Sequence, residues 1–254
     1  MGRITAIINQ KGECGKTSTA HALSTGLKMK GYSVLVVDCD PQGNLSYAMR
    51  AYTSEKGLYE AISGTVPTSE LIQQTEQGDI IASSSKLNGA DKEFNDTGRE
   101  YLLNVALEPI KENYSHIILD CPPQLSILTI NALCCCTDAV ITLTSDMFAL
   151  QGLSQLSATI NKVRQFCGKQ VEIAGLLLCR HSNRSILSRD LKQVIEEKAV
   201  ELDTNLYKTI IRDGVSVRES QTQRESLFTY AKSSNPAIDY EDFINEYLNQ
   251  EKGR

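Results

Sequence analysis

The segment from Ile4 to Thr19, ITAIINQKGECGKTST, constrains the fold of this chain more than any other. Four of its first five residues are apolar, as expected of a short buried strand, and a helical pattern follows the Gly-Lys-Thr that begins at Gly15. A strand, a glycine turn and a helix in this order gather backbone N–H groups at a helix N-terminus, where phosphate groups bind. The segment therefore predicts a phosphate-binding loop in an α/β fold.

The loop departs from the standard spacing G-x-x-x-x-G-K-[ST], because Gln10 stands where the first glycine belongs. Gly12 and Gly15 are expected to permit the unusual backbone angles of such a loop. Lys16 is expected to reach the terminal phosphates, and the Thr17 hydroxyl to bind Mg²⁺. The residues predicted to line the phosphates are Gly12, Glu13, Cys14, Gly15, Lys16, Thr17 and Ser18.

Two further apolar runs end in aspartate. Val34–Val37 leads into Asp38 and Asp40, and Ile117–Leu119 leads into Asp120. Continuous apolar runs are typical of parallel strands buried on both faces, and ligands bind outside the carboxyl ends of such strands. Asp120 is therefore predicted to hold Mg²⁺ through water. Together with the loop, these residues predict a Mg²⁺-dependent nucleoside triphosphatase.

Apolar strands alternate with helical segments along the 254 residues, and no linker is rich in Pro, Gly or Ser. This alternation predicts one α/β domain over residues 1–254, with a doubly wound, mostly parallel sheet and helices on both faces. The composition, 41% apolar and 22% charged, is ordinary for a soluble protein. No apolar run approaches the roughly 20 residues of a membrane span, so we expect a cytoplasmic protein that does not bind membranes.

The eight cysteines include no C-x-x-C pair. Small buried side chains in a reducing compartment explain them better than a disulfide framework. An iron–sulfur site is a weaker alternative, because it would need a matched cysteine pair that we cannot place.

The pattern is weaker between residues 51 and 111. We expect short helices over Gly57–Ser63 and Ser69–Thr75, and a short strand over Asp79–Ala82. A polar loop is expected over Lys86–Asn95, followed by a helix from Asp96 to about residue 111. No chemistry is assigned to this region.

Three motifs together resemble the ParA/MinD ATPases, whose deviant Walker A loop reads KGGxGK[ST]. They are KGECGKT over residues 11–17, VVDCDPQGN over 36–44 and LDCPP over 119–123. The motifs stand in the order of ParA-type partition ATPases, and the resemblance spans nearly the whole chain. Glu13 replaces the second glycine of the family's loop, and its carboxylate would repel phosphates unless the side chain points away.

The resemblance implies a catalytic set of Lys11, Lys16 and Asp40. Lys11 would cross the two-fold interface of an ATP-bound homodimer to reach the nucleotide of the partner subunit. Asp40 would orient the attacking water and support the Mg²⁺ shell with Thr17. By the same resemblance, the last two strands flank the adenine with Cys179, Arg180, Ile211, Arg212 and Asp213.

ATP or ADP is favoured as the nucleotide, because no guanine-specifying NKxD string follows the apolar strands. The resemblance further implies a weak intrinsic ATPase that binds non-specific DNA as a dimer, associates with the nucleoid and is stimulated by a ParB-like protein. Residues 180–232 carry ten Lys/Arg against eight Asp/Glu, so a locally basic surface and an ordinary solvated surface are both compatible with this part of the chain. The candidate DNA contacts are Arg184, Arg189, Arg218 and Arg224.

Three alternatives stay open at this point. A MinD-like positioning ATPase would need a basic amphipathic C-terminal helix, whereas residues 240–254 carry four acidic side chains that anionic lipid would repel. A metabolic P-loop enzyme would bind a small substrate beside the γ-phosphate. A nucleotide-gated protein-binding scaffold would not bind DNA. The segment Asp146–Leu153 is similar to a dimer-face segment of the family, although plain helix packing explains its apolar residues equally well.

Overall fold

The computed structural model describes residues 2–53, 56–94, 96–168, 171–181 and 186–252, and within these ranges the chain forms eight strands. They are β1 (Arg3–Ile8), β2 (Val34–Asp38), β3 (Ile72–Thr75), β4 (Gly78–Ile81), β5 (His116–Asp120), β6 (Asp138–Leu143), β7 (Glu172–His181) and β8 (Leu206–Arg212). The strands form one sheet in the order β3-β4-β2-β5-β1-β6-β7-β8. Every neighbouring pair is parallel except β3 and β4. The predicted fold class is confirmed.

Helices cover both faces of the sheet. They are α1 (Lys16–Met29), α2 (Asn44–Ala48), α3 (Leu58–Ile62), α4 (Ala90–Glu93), α5 (Leu102–Leu107), α6 (Ile127–Cys135), α7 (Met147–Phe166), α8 (Ile186–Glu201), α9 (Val215–Gln223), α10 (Leu227–Tyr230) and α11 (Asn235–Lys252). Short 3₁₀ helices lie at Thr68–Glu70, Ser85–Gly89, Arg99–Tyr101 and Lys111–Asn113. Among the described helices, none combines the length and apolar character that crossing a membrane requires.

Two hydrophobic cores lie on opposite sides of the sheet. Ile4, Ala6 and Ile8 of β1 point into the core beneath α5, α6, α7 and α8, whereas Ile7 points into the core beneath α1, α2, α10 and α11. This alternation is the two-residue period of a strand, and it makes β1 apolar along its whole length. Seven of the eight cysteines are buried, and Cys167 is half-buried.

The stretch from residue 69 to residue 111 differs from expectation. Ile72–Thr75 is a strand rather than a helix, because it pairs antiparallel with β4 at one edge of the sheet. A half-buried edge strand with one apolar residue in four lacks the pattern of the central strands. The expected loop at 86–95 contains α4, since Leu87, Ala90 and Phe94 are buried at helical spacing; Asn95 lies outside the described residues. The expected helix at 96–111 is reduced to α5 between two 3₁₀ turns, after Gly98 takes a φ of 90°.

The last helix closes the other edge of the sheet. The carboxylate of Glu246 on α11 accepts hydrogen bonds from the backbone N–H groups of Lys208 (2.8 Å) and Thr209 (3.0 Å) on β8. Asp239, also on α11, accepts from the backbone N–H of Arg212 at 2.9 Å. Edge N–H groups of β8 are therefore satisfied by side chains of α11 rather than by another strand.

A buried ion pair lies at the amino ends of the central strands. The Arg3 Nε donates to Asp138 Oδ2 at 2.6 Å, and the two side chains are 9% and 3% exposed. Asp138 also accepts from the Thr5 hydroxyl at 2.9 Å, and the Arg3 guanidinium lies 4.0 Å from the ring centroid of Tyr247 on α11. The pair joins β1, β6 and the last helix at the end of the sheet that faces away from the phosphate loop.

Candidate functional site

A cleft of about 730 Å³ opens at the carboxyl edge of the sheet. It lies between the loop that joins β1 to α1, the residues that follow β2 and β5, and the ends of β7 and β8. The predicted site residues that line it are Gly12, Glu13, Gly15, Lys16, Thr17, Ser18, Asp40, Cys179, Arg180, Ile211, Arg212 and Asp213. Most of the predicted site residues therefore meet at one location. Three others lie beside the cleft rather than on its wall: Lys11, Cys14 and Asp120.

The loop takes its shape from two left-handed residues. Gly15, the residue before α1, has a φ of 90°, and a Cβ added to it would lie 3.1 Å from the Cβ of Cys179. Glycine is therefore required there both by conformation and by contact. The same expectation is wrong for Gly12, which has no positive φ and would place a Cβ in open space. Glu13 has a φ of 58° instead, so this chain holds a carboxylate residue in a conformation that favours glycine.

Lys16 is almost buried, with 6% of its surface exposed, and its ammonium donates to the backbone carbonyl of Lys11 at 2.7 Å. The first turn of α1 itself contains no acidic residue, so the helix contributes no carboxylate of its own to its positive end. Cys14 is buried behind the loop, where its Sγ contacts the Lys11 carbonyl and the Thr142 hydroxyl. An ammonium, a helix N-terminus and exposed loop N–H groups together suit an anionic ligand.

The two aspartates after β2 have different surroundings. Asp38 is buried and accepts from the backbone N–H and hydroxyl of Ser46 at 2.8 and 2.7 Å, and from the Asp40 N–H at 3.2 Å. Burial raises the pKa of Asp38 to about 6, although the Ser46 hydrogen bonds oppose this shift. Asp40 accepts from the Gln42 N–H at 3.0 Å, and its carbonyl accepts from the Ser83 hydroxyl. Asp38 thus holds the turn that brings Asp40 to the cleft.

Asp120 is buried next to Asp38, because the register of β2 and β5 pairs the two residues. Neither carboxylate oxygen of Asp120 has a hydrogen-bond partner in the described part of the chain. Burial raises the pKa of Asp120 well above its usual range and Asp38 adds to this, whereas the nearby Thr17 hydroxyl and Lys16 ammonium lower it. A buried carboxylate that forms no direct ion pair within the described residues is costly unless a bound cation compensates it.

These residues fit a Mg²⁺ ion that also binds phosphate. Within the described ranges, no group of three His, Cys, Asp or Glu side chains is placed to hold a metal alone. Mg²⁺ commonly uses one or two carboxylates and completes its shell with water and phosphate oxygens. The unpaired oxygens of Asp120, beside Thr17 and near Asp40, match this requirement.

Lys11 makes its side-chain contacts outside the cleft. Its ammonium lies 2.5 Å from Asp146 and 3.4 Å from the Thr144 hydroxyl, and the Lys11 and Asp146 side chains are both 36% exposed. Asp146 begins the segment 146–153, in which Ala149 and Leu153 are buried in the core. Ala149 and Leu153 therefore serve helix packing, while Asp146 is half-exposed beside Lys11; the side chains of Met147 and Phe148 lie outside the described residues.

Two residues that sequence reasoning missed support the site. The Asn9 side chain accepts from the Lys11 N–H at 3.0 Å and donates to the Thr142 carbonyl at 2.5 Å, which fixes the start of the loop. A polar residue directly after a buried strand was the available signal. Tyr240 of α11 lines the cleft and its hydroxyl lies 3.2 Å from that of Thr19, a contact that no local pattern indicates.

At the end of the cleft formed by β7 and β8, two arginines are held by carboxylates. The Arg212 guanidinium binds Asp239 through Nε and Nη2, at distances from 2.6 to 3.1 Å. Arg180 pairs with Asp213 at 3.3 Å and contacts Glu13 of the phosphate loop. Arg212 is thus directed to α11, and Arg180 spans the mouth of the cleft.

The four candidate DNA-binding arginines have separate surroundings. Arg184 lies outside the described residues, as does the side chain of Arg189 on α8. Arg218 is exposed on α9 at the rim of the cleft. The Arg224 guanidinium donates to the Tyr47 carbonyl at 2.9 Å and lies 4.9 Å from the centroid of the Tyr47 ring. Arg224 therefore stabilises the fold through Tyr47, besides being a candidate DNA contact.

A parallel sheet with a glycine loop between β1 and α1, and carboxylates at the ends of β2 and β5, defines a P-loop nucleotide-binding protein. The family described as AAA domain matches residues 2–173. The sporulation initiation inhibitor protein Soj of Bacillus subtilis is 37% identical, over 97% of this chain and 98% of its own length. The chromosome partitioning protein ParA of Caulobacter vibrioides is 33% identical, over 99% of this chain and 96% of its own.

The chain therefore belongs to the ParA/Soj-type ATPases of the AAA domain family, which confirms the resemblance inferred from the three motifs. A solved structure of cobyrinic acid a,c-diamide synthase from Mycobacterium smegmatis, with bound ADP and magnesium, is 28% identical. It superposes with a TM-score of 0.87 and covers 100% of this chain and 97% of that one. The fold of this chain is thus also found around a bound nucleotide.

Proposed function

We propose that this chain acts as a single-domain, Mg²⁺-dependent ATPase that dimerises on ATP and binds DNA without reading its sequence. A ParB-like protein stimulates hydrolysis, and the cycle segregates chromosome or plasmid DNA. The observation that supports the nucleotide site is that Lys16 and Thr17 line a cleft of about 730 Å³ and that the buried Asp120 carboxylate lies directly behind them. The partition cycle rests on membership of the ParA/Soj-type ATPases.

The loop residues 12–18 surround the phosphates in this proposal, and the ends of β7 and β8 flank the adenine. Lys16 leaves the Lys11 carbonyl and binds the terminal phosphates. Thr17, Asp40 and Asp120 would hold Mg²⁺, which when bound would neutralise negative charge on the phosphates. Asp40 accepts a hydrogen bond from the attacking water and so orients it toward the γ-phosphate.

Dimerisation provides the first test. Asp40→Ala should keep ATP bound but slow its hydrolysis, because the phosphate loop is intact while the water is no longer positioned. With ATP, this variant should elute as a dimer in size-exclusion chromatography with light scattering. Adding Lys11→Ala should return it to a monomer, because Lys11 is proposed to bind the phosphates of the partner subunit.

The contact between Lys11 and Asp146 does not prevent this role. Exposed ion pairs contribute about 0–1 kcal/mol, so Lys11 can exchange Asp146 for a phosphate at small cost. Lys28→Ala in the Asp40→Ala background is the matched control, because Lys28 is an exposed lysine at the far end of α1. A dimer that persists without Lys11 would refute its role across the interface.

DNA binding provides the second test. Neutralising Arg184, Arg189 and Arg218 together should weaken binding about equally for unrelated DNA sequences. The slope of log affinity against log salt should flatten by about 0.9 for each DNA phosphate that the variant no longer neutralises. Arg224→Ala is measured separately, since its contact with Tyr47 also holds α9 against α2. An ATP-bound dimer with no DNA affinity at low salt would favour a nucleotide-gated protein binder instead.

A further inference from the structure

The phosphate loop of this chain contains a carboxylate, and the structure places one arginine against it. We propose that Arg180 neutralises Glu13, so that a loop with an acidic residue still accepts a nucleoside triphosphate. This inference rests on the proposed function, because the polyanion in question is the bound nucleotide. It makes Arg180 a positioning residue that acts on the phosphates through Glu13.

The first observation is the geometry of Glu13. Glu13 has a positive φ of 58°, and its side chain is 92% exposed. Its carboxylate lies 3.9 Å from Nη1 of Arg180, and the same Nη1 donates to the Glu13 carbonyl at 3.3 Å. Arg180 therefore contacts both the carboxylate and the backbone carbonyl of this residue.

The second observation is that Arg180 is anchored from the opposite wall of the cleft. Its Nε lies 3.3 Å from Asp213, which follows β8, and both residues line the cleft. Arg180 also has a positive φ of 53°, an unfavourable conformation for a side chain with a Cβ. Strained backbone at both partners is consistent with a contact that the surrounding structure maintains.

Loss of Arg180 would also change the electrostatics of the cleft. Without Arg180, the carboxylates of Glu13 and Asp213, two residues that line the cleft, would both lose the cation that contacts them. A single charge at a half-exposed site changes the affinity for one other charge only a few-fold, because water screens it. A triphosphate carries several charges, so we expect the loss of Arg180 to weaken ATP binding by about tenfold.

A double-mutant cycle on the full chain tests the coupling, with ATP affinity measured by calorimetry. Arg180→Ala should weaken ATP binding about tenfold, whereas Glu13→Gly should not weaken it. In the Glu13→Gly background, Arg180→Ala should change ATP affinity by less than about threefold, because the only carboxylate that then loses its contact with Arg180 is that of Asp213. Arg180→Lys should retain most of the affinity. Lys92→Ala, an exposed lysine on α4, controls for the change in net charge.

AMP distinguishes this role from a contact with adenine. Arg180→Ala should weaken AMP binding less than ATP binding, because AMP has fewer phosphate charges to be repelled. An equal loss for both nucleotides, or an effect of Arg180→Ala that is independent of Glu13, would overturn the inference and leave the proposed function intact. A wild-type chain that binds no ATP would overturn both. Arg180→Gln, with circular dichroism as the folding control, replaces Arg180→Ala if the alanine variant unfolds.

Discussion

Lys16→Ala should weaken ATP binding by about a hundredfold or more, the largest functional effect that we expect from one substitution. Removing one partner of a buried, charge-assisted contact costs about 2–5 kcal/mol, and Lys16 is the almost buried ammonium at the head of α1. Calorimetric titration with ATP and Mg²⁺ measures the effect directly. Wild-type affinity in this variant would remove the phosphate-binding assignment.

Lys28→Ala is the matched control for this experiment. Lys28 belongs to the same helix, but it is exposed at the other end and donates to the Glu76 carbonyl at 2.9 Å. We expect its loss to leave ATP affinity within about twofold of wild type, since surface contacts of this kind contribute about 0–1 kcal/mol. Both variants remove one positive charge from α1, so a loss of ATP affinity in Lys16→Ala alone is due to the position of Lys16 and not to the change in net charge.

Asp138→Ala should lower the free energy of unfolding by about 3–5 kcal/mol, which would be a large part of the stability of an ordinary domain. The substitution leaves the Arg3 guanidinium buried without its carboxylate, and Nη1 and Nη2 of Arg3 already have no hydrogen-bond partner among the described residues. Urea unfolding followed by circular dichroism gives the value. Asp138→Asn keeps the volume of the side chain and should still be strongly destabilised.

Glu108→Ala provides the comparison for burial. Glu108 forms an ion pair with Lys111 at 2.6 Å, the same separation as that between Arg3 and Asp138. The cations of the two pairs are similarly buried, at 13% and 9% exposed, whereas the Glu108 side chain is 58% exposed and that of Asp138 only 3%. Its removal should cost less than about 1 kcal/mol. If Glu108→Ala and Asp138→Ala lowered the free energy of unfolding by similar amounts, burial would not explain how much the Arg3–Asp138 pair contributes to stability.

The central sheet and the phosphate end of the cleft were predictable because their signals are local. Val34–Val37 and Ile117–Leu119 are apolar on both faces and end in carboxylates, and parallel pairing alone brings Asp38 beside Asp120. The Gly-Lys-Thr at the start of α1 likewise identifies a helix N-terminus without knowledge of the rest of the chain.

The features that sequence reasoning missed depend on distant or atypical contacts. Tyr240 reaches the cleft only because α11 packs against α1, and Lys11 meets Asp146 only because β6 lies beside β1. The strand Ile72–Thr75 lies at the end of the described sheet and is only half-buried, so its polar composition resembled that of a surface helix. Glu13 was recognised as a departure from the family's loop, but its left-handed conformation is visible only in the backbone.

The way α11 covers β8 bears on aggregation. An open strand edge is a template on which a second chain can add a strand. Glu246 and Asp239 occupy N–H groups of β8 that such a strand would need, and the opposite edge, β3, is only four residues long. Loss of α11 would therefore do more than weaken the cleft: it would turn β8 into a site for cross-β association between unfolded or truncated copies.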